Sequence, residues 1–312
     1  MKTYLVTGGC GFIGVNLIPR LIEQGARVRV LDNLSLGRRE DVEPLGVDLQ
    51  IGDIRDRSAL TAACRGVDVV VHLAAHTRVV ESLTDPQINF DVNAIGTLNV
   101  LEACRVAGIP KMIFASTGGA ILGEQTPPVH EGMVPRPISP YGASKLAGEA
   151  YCSAYAGAYG LKTVALRFSN VYGPFSYHKG SVVAQFFRNL LRGEPIVIYG
   201  DGEQTRDFLY VADLVDAILL ADKAELAGEV FQIASGRETS VRALVDAMKA
   251  MLPDRTFDIR FEPARAGEIL RNYANIEKAR RMLGFDPTTR LDDGLPRTWQ
   301  WFITHDRAGA SK

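Results

Sequence analysis

The chain has 312 residues, 46% of them hydrophobic and 23% charged, with a formal net charge of −1. This is an ordinary globular composition, with length for one large domain or two moderate ones. It offers no electrostatic basis for binding nucleic acid or an anionic membrane, and no apolar run approaches the ~20 residues of a membrane helix.

The N-terminus runs from Met1-Lys2 directly into an apolar stretch and then glycines, with no cleavage-site pattern, so a cytoplasmic protein is expected. The cysteines at 10, 64, 104 and 152 form no C-x-x-C pair and have no clustered histidines. They read as reduced thiols, without a disulfide or a metal site.

The first apolar run, residues 4–7, passes into Gly8-Gly9-Cys10-Gly11-Phe12-Ile13-Gly14 and then a helical pattern over 13–24. Two glycine spacings overlap there: G-x-G-x-x-G at 9, 11 and 14, and G-x-x-G-x-x-G at 8, 11 and 14. Glycines allow the tight turn and let backbone approach a pyrophosphate. The helix N-terminus adds unpaired N–H groups and a partial positive charge. The next run, 27–31, ends at Asp32, close to the ~20-residue spacing of a ribose-binding acid. An acid there accepts from both ribose hydroxyls and repels a 2′-phosphate, which favours NAD over NADP.

Run 47–51 leads to Asp53, a helical pattern follows over 58–64, and run 67–73 leads to Ala74-Ala75. Both endings are where a ligand of such a sheet lies, although spacing alone reads them equally as loop residues. A helical pattern covers 89–107, and run 111–116 ends at Ser116-Thr117. A further helix is predicted over 141–159 and a further strand over 162–167. Strands alternating with helices predict βαβ units, and near-continuous apolar runs predict strands covered on both faces. The predicted fold is α/β: a Rossmann-type doubly wound parallel sheet. Beyond about residue 170, prolines interrupt shorter elements, which predicts a smaller mixed α/β region beside it. Segments 208–221 and 230–234 are candidates to return to the main sheet.

Tyr141-Gly142-Ala143-Ser144-Lys145 is a Y-x-x-x-K at a helix start, with Pro140 fixing the entry. Its i, i+4 spacing puts both side chains on one face, about 6 Å apart. Tyrosine is a poor base at its ordinary pKa of ~10. A neighbouring ammonium and a helix N-terminus both favour the phenolate and are expected to lower that value. A tyrosine so tuned can take a hydroxyl proton while hydride leaves the same carbon for nicotinamide. A hydroxyl at Ser116 or Thr117 can hydrogen-bond the reacting oxygen.

With these parts assembled, the chain resembles an extended short-chain dehydrogenase/reductase. More narrowly, it resembles the NAD-dependent nucleotide-sugar epimerases of the UDP-glucose 4-epimerase type. Stretches that carry the likeness include Asp32-Asn33-Leu34-Ser35, Gly52-Asp53-Ile54, His72-Leu73-Ala74-Ala75, Asn93, 116–123 and 140–145. Further on, they include 167–174, Tyr199-Gly200-Asp201-Gly202, Arg206-Asp207-Phe208 and Arg265-Ala266-Gly267-Glu268.

The resemblance implies that Tyr141 is the base, Lys145 its partner and Thr117, rather than Ser116, the hydroxyl assistant. It implies an NAD site lined by Gly8, Gly11, Phe12, Ile13, Gly14, Asp32, Asn33, Asp53, Ile54, Ala74, Ala75, Asn93, Tyr141 and Lys145. Asn170, Arg206 and Arg265 would grip the diphosphate of a UDP-sugar, and Glu268 would accept from the uridine ribose. Segment 195–199, with Ile198 and Tyr199, would run along the uracil, and Val183, His178 and Arg78 would also face substrate. The implied division is an NAD-binding part over 1–170, to which segments near 207–236 return, and a nucleotide-sugar part over 171–312. The implied reaction inverts C4 through a 4-keto sugar, with no net redox. Relatives pair the helices predicted over 89–107 and 141–159 in a homodimer.

Related dehydratases carry an Asp-Glu pair after the Ser/Thr position, and related decarboxylases a nearby Glu. Here Gly118-Gly119-Ala120 follows, which favours plain epimerisation. Arg78 suits a C6 carboxylate, and so a UDP-hexuronate, but equally a surface ion pair. His178-Lys179 also stands near the sugar, and Asn272 falls at the family's gate for 2-N-acetyl sugars without deciding it. Two other readings stay open: a nucleotide-sugar dehydratase or reductase, and a non-enzymatic NAD-binding regulator. The intact Tyr141, Lys145 and Thr117 argue against the regulator.

Overall fold

The structure is a computed structural model that describes residues 1–264 and 269–309. The N-terminal half contains β1 (Thr3–Thr7), α1 (Phe12–Glu23), β2 (Arg27–Asp32), β3 (Asp48–Ile51), α2 (Arg57–Ala63) and β4 (Val69–His72). It continues with α3 (Val79–Thr84), α4 (Pro86–Phe90), α5 (Gly96–Ala107), β5 (Lys111–Thr117), α6 (Gly118–Leu122), α7 (Pro140–Tyr159) and β6 (Lys162–Phe168). Then come β7 (Asn170–Tyr172), α8 (Val182–Arg192), β8 (Ile196–Tyr199), β9 (Thr205–Arg206), β10 (Phe208–Tyr210) and α9 (Val211–Lys223). The chain closes with β11 (Glu229–Ile233), β12 (Thr239–Ser240), α10 (Val241–Met251), β13 (Ile259–Glu262), α11 (Glu277–Leu283) and α12 (Leu291–Gly309).

Seven strands form one sheet in the order β11-β6-β5-β4-β1-β2-β3, and every pairing in it is parallel. The chain leaves β1 in one direction along the sheet and resumes at β4 in the other. The ligand crevice of such a sheet therefore opens at the carboxyl ends of β1 and β4.

Alternate residues of each strand serve opposite faces. Val6, Val30, Val71, Ile113 and Val164 pack toward α1 and α9. Leu5, Leu31, Val70, Met112 and Ala165 pack toward α2, α5 and α7. Each Val, Leu, Ile or Met side chain among them contributes ~1.5–3 kcal/mol by leaving water. Coverage on both faces is why the runs read as continuously apolar rather than alternating.

A separate apolar core joins α8, β8, α10 and α12 through Phe186, Phe187, Ile198, Leu244, Met248, Trp299 and Phe302. Its strands pair in twos: β10 with β7 and β13 with β8 in parallel, and β12 with β9 antiparallel. Of the later segments, β11 is an edge of the main sheet and α9 covers one of its faces, whereas β10 pairs with β7 outside it. Among the described residues, no helix is long and apolar enough to cross a membrane.

The helix predicted over 89–107 is not continuous. Residues 91–95 form a π-helical turn between α4 and α5. A periodic apolar pattern survives one wide turn, so sequence periodicity does not reveal it. The turn places Asn93 inward, 1% exposed, and brings Gly96 so close to Ile54 that a Cβ there would lie 2.5 Å from its Cδ1.

Candidate active site

The glycine loop is built by backbone packing. Gly8 has φ +70° and donates its N–H to Leu31 O at 2.8 Å. A Cβ at Gly8 would lie 2.6 Å from Ala74 N, and one at Gly14 would lie 2.3 Å from Gly9 O. Both positions therefore need glycine for a close approach of backbone to backbone. Gly11 caps α1 in an extended conformation, without a side-chain bond. The first-turn N–H groups of Phe12, Ile13 and Gly14 have no partner within the helix. With the helix dipole, they form the anion cradle that a dinucleotide requires.

Asp32 ends β2 and is 7% exposed. Its Oδ2 accepts from Cys10 N at 2.9 Å and its Oδ1 from Leu34 N at 2.8 Å. Burial pushes its pKa up, and the two backbone bonds oppose that shift. A carboxylate has about four lone-pair sites, so these bonds leave capacity for ribose hydroxyls. Asn33 donates to Asp53 Oδ2 at 3.0 Å, and Arg55 grips Asp53 with bonds of 2.9 and 2.8 Å. The guanidinium holds the Asp53 carboxyl well below the usual range. These residues fit NAD: the two glycines permit the close backbone packing that presents the start of α1, and the acid stands at the neighbouring strand end.

Beyond β4, the loop through Ala74 and Ala75 is held from behind. Asn93 accepts from His76 N at 2.8 Å and donates to His76 O at 2.9 Å and to Ser144 Oγ at 3.2 Å. Asn93 was expected to line NAD directly. Its amide is instead committed to the loop, because the π turn points it inward. Asn89 and Ser144 complete this lattice, with Ser144 Oγ donating to Asn89 Oδ1 at 2.8 Å and Asn89 Nδ2 donating to His76 O at 3.2 Å. Nothing local in the chain singles out Asn89 or Ser144, since their partners are remote from them. His72, fully buried, contacts Thr7 Oγ1 at 2.6 Å, and burial pushes its pKa down to about 3.

Ser139 caps α7 by accepting from Gly142 N at 3.2 Å, and Pro140 opens the helix. Tyr141 N donates to Ser82 Oγ of α3 at 3.2 Å. Ser82, fully buried, thus ties the tyrosine backbone to the loop after β4. The Thr117 hydroxyl stands close enough to the Tyr141 phenol to favour its ionised form. The structure therefore brings Tyr141 and Thr117 together at the carboxyl end of β5.

Two expectations need correcting here. The Tyr141 phenol is not lowered: burial pushes it up to about 12, and the Thr117 hydroxyl only partly opposes that. The Lys145 ammonium donates to Ala115 O at 2.9 Å and lies 4.9 Å from the centre of the Phe114 ring. Burial takes it down to about 8, although the Cys152 and Glu149 sites favour its charge. The i, i+4 spacing brings the lysine to the right helix face, but its head group is bonded to the strand. Ser116 is the second correction. Its hydroxyl donates to Glu149 Oε1 at 2.6 Å, away from the phenol. Glu149 in turn forms a buried bidentate pair with Arg167, at 2.9 and 2.8 Å.

Gly118 and Gly119 let two side chains approach. A Cβ at 119 would meet Asn272 Nδ2 at 2.2 Å, and one at 118 would meet Gln232 Oε1 at 2.6 Å. On the other side of the crevice, Asn170 N donates to Asp207 O at 2.9 Å, which places Arg206 beside Asn170. Arg206 Nη1 donates to Thr205 O and Ile269 O, each at 2.8 Å. Asp207 is buried and accepts from Ser235 N and Gly236 N at 2.7 and 3.0 Å, which fixes this junction.

Val183 and Ile198 are 1% and 2% exposed, in the core of the C-terminal region. Their side chains pack inward, so as substrate contacts they have only backbone to offer. Tyr199 ends β8 half-buried, and His178 is exposed. Arg78 pairs with Glu81 across 2.5 Å, and Glu81 also meets His76 Nε2 at 3.2 Å. Arg265 and Glu268 lie outside the described residues.

The sequence profile of the NAD dependent epimerase/dehydratase family matches residues 4–234. A putative UDP-glucose 4-epimerase of Methanocaldococcus jannaschii is 40% identical, over 97% of this chain and 99% of that protein. The crystal structure of Thermotoga maritima UDP-glucose 4-epimerase with UDP-glucose is 39% identical, with a TM-score of 0.93 over 97% of this chain and 99% of that one. The Thermus thermophilus UDP-glucose 4-epimerase complex with NAD is 38% identical, with a TM-score of 0.90 over the same shares. The glycine cradle, the acid at Asp32 and this likeness along nearly the whole chain place the protein in the NAD-dependent epimerase/dehydratase family of enzymes.

Proposed function

We propose that this enzyme is a UDP-sugar 4-epimerase, acting as a homodimer on UDP-glucose and UDP-galactose. The observation that carries this reading is the meeting of the Tyr141 phenol with Thr117 at the carboxyl end of β5, two strands along from the glycine cradle that follows β1. NAD held at the glycine cradle and Asp32 would supply the hydride acceptor and donor for the sugar carbon. Tyr141 takes the 4′-hydroxyl proton and gives it back. Thr117 donates to the phenol oxygen and so favours the phenolate. Lys145 supplies positive charge from the same helix face. Asn170 and Arg206, with Arg265, hold the diphosphate while the 4-keto sugar turns, so that binding energy is anchored away from the reacting carbon.

Two details support inversion of a neutral hexose. Gly118-Gly119 stands where related dehydratases carry acids, and Asn272 and Gln232 approach that backbone. Arg78 is engaged by Glu81, so a C6 carboxylate would have to displace an acid already in place. Phe90, Ile95 and Tyr151, at 50%, 38% and 42% exposure on the α4–α5 and α7 surface, support the dimer. The test is to incubate the protein separately with UDP-glucose, UDP-N-acetylglucosamine and UDP-glucuronate and follow C4 by NMR. A mixture of C4 isomers from UDP-glucose, without accumulation of free NADH, is expected. No inversion of any of the three, or loss of water from C6, contradicts the proposal.

A further inference from the structure

Lys179 lies between the start of α1 and β7, and among the described residues no carboxylate pairs with it. Its Nζ donates to Val171 O at 2.6 Å and stands 5.1 Å from the centre of the Phe12 ring. Phe12 opens α1 beside the glycine cradle, and Val171 follows Asn170 on β7. An ammonium has three donors, and this carbonyl uses one. Among the described residues, no carboxylate bonds to Lys179, and burial brings its pKa down to about 8. A desolvated cation is unfavourable until an anion joins it.

The segment that carries Lys179 is also held in place. Ser176 Oγ donates to Gly173 O at 2.6 Å, and Lys179 N donates to Ser176 O at 2.9 Å. Asn16 Nδ2 bridges Phe12 O at 2.8 Å and Pro174 O at 3.0 Å, which docks the loop on the start of α1. Arg188 bonds the carbonyls of Tyr177 and Lys179 from the other side. The ammonium is therefore presented by a fixed loop rather than by a mobile surface chain.

We propose that Lys179 is a diphosphate-binding residue, closing the crevice between the start of α1 and β7. The inference rests on the nucleotide-sugar reading above. Its chemistry is shared by two sources, the diphosphate of the dinucleotide and that of the UDP-sugar.

The test compares wild type, Lys179→Met and Lys179→Arg in two arms. One arm titrates UDP onto the NAD-loaded protein by calorimetry. The other measures NAD dissociation from the UDP-free protein. Loss of a charge-assisted bond should weaken at least one arm about tenfold or more in Lys179→Met, with most affinity kept in Lys179→Arg. Weakening in the UDP arm alone identifies the sugar nucleotide as the source, and in the NAD arm alone the coenzyme. Equal affinity of wild type and Lys179→Met in both arms overturns the assignment, whatever the thermal stability. Failure of the epimerase reading is seen separately, as tight UDP binding without C4 inversion.

Discussion

The two walls of the crevice are made differently. The glycine-loop wall is backbone against backbone: Gly8 against Ala74, Gly14 against Gly9, and Asp32 accepting two main-chain N–H groups. The opposite wall is side chain against side chain: Tyr141 with Thr117, Ser116 with Glu149 and Arg167, and Arg78 with Glu81. A backbone wall fixes a ligand that is always the same. A wall of paired side chains can change its chemistry by exchanging one partner, and it is where reaction and substrate choice reside in this account.

Substitutions on either wall test that difference. The largest effect is expected from Tyr141→Phe, which removes the only proposed proton acceptor. Turnover should fall ~10²–10⁴-fold while UDP binding persists. Retained turnover would mean that another group takes the proton. Glu149→Ala leaves Arg167 buried and unpaired, so stability should drop by about 3–5 kcal/mol, seen as a lower denaturation midpoint. A loss below about 1 kcal/mol would show that the pair is not essential to this wall.

Gly8→Ala tests the backbone wall. It adds a Cβ 2.6 Å from Ala74 N at a residue with φ +70°. The left-handed conformation alone costs about 1–2 kcal/mol, and NAD should dissociate faster. Unchanged NAD retention would show that the wall yields easily.

Thr117→Val sharpens the chemistry. Burial raises the Tyr141 pKa, and the Thr117 hydroxyl lowers it. Removing that hydroxyl should move the acid limb of the kcat/KM profile to higher pH, because the phenolate form is the proposed base. A shift to lower pH would reverse the sign and reject the assigned role. Arg78→Ala should be the smallest change, within about 1 kcal/mol of stability, since both partners of its ion pair are substantially exposed.

The same contrast explains what could be read in the sequence. Gly8, Gly14 and Asp32 are legible because a tight turn, a helix start and a strand end are local features. The parallel sheet was legible for a related reason: residues such as Leu5 and Val6 serve opposite covered faces and leave an apolar run. The π turn at 91–95 was hidden, because an inserted backbone residue preserves the general helical pattern. The bond of Lys145 to Ala115 was hidden because i, i+4 spacing selects a helix face but not the partner of a long side chain. Ser116 appeared free until Glu149 and Arg167, from two other elements, converged on it. Ser82 could not be singled out, as its role depends on α3 packing against the start of α7.

In the proposed reaction, hydride leaves C4 and returns to the same carbon within one bound complex. The most direct measurement uses UDP-glucose deuterated at C4, with the product followed by NMR in ordinary water. Deuterium retained at C4 of UDP-galactose is the predicted result. Loss of deuterium to solvent during inversion would contradict the account.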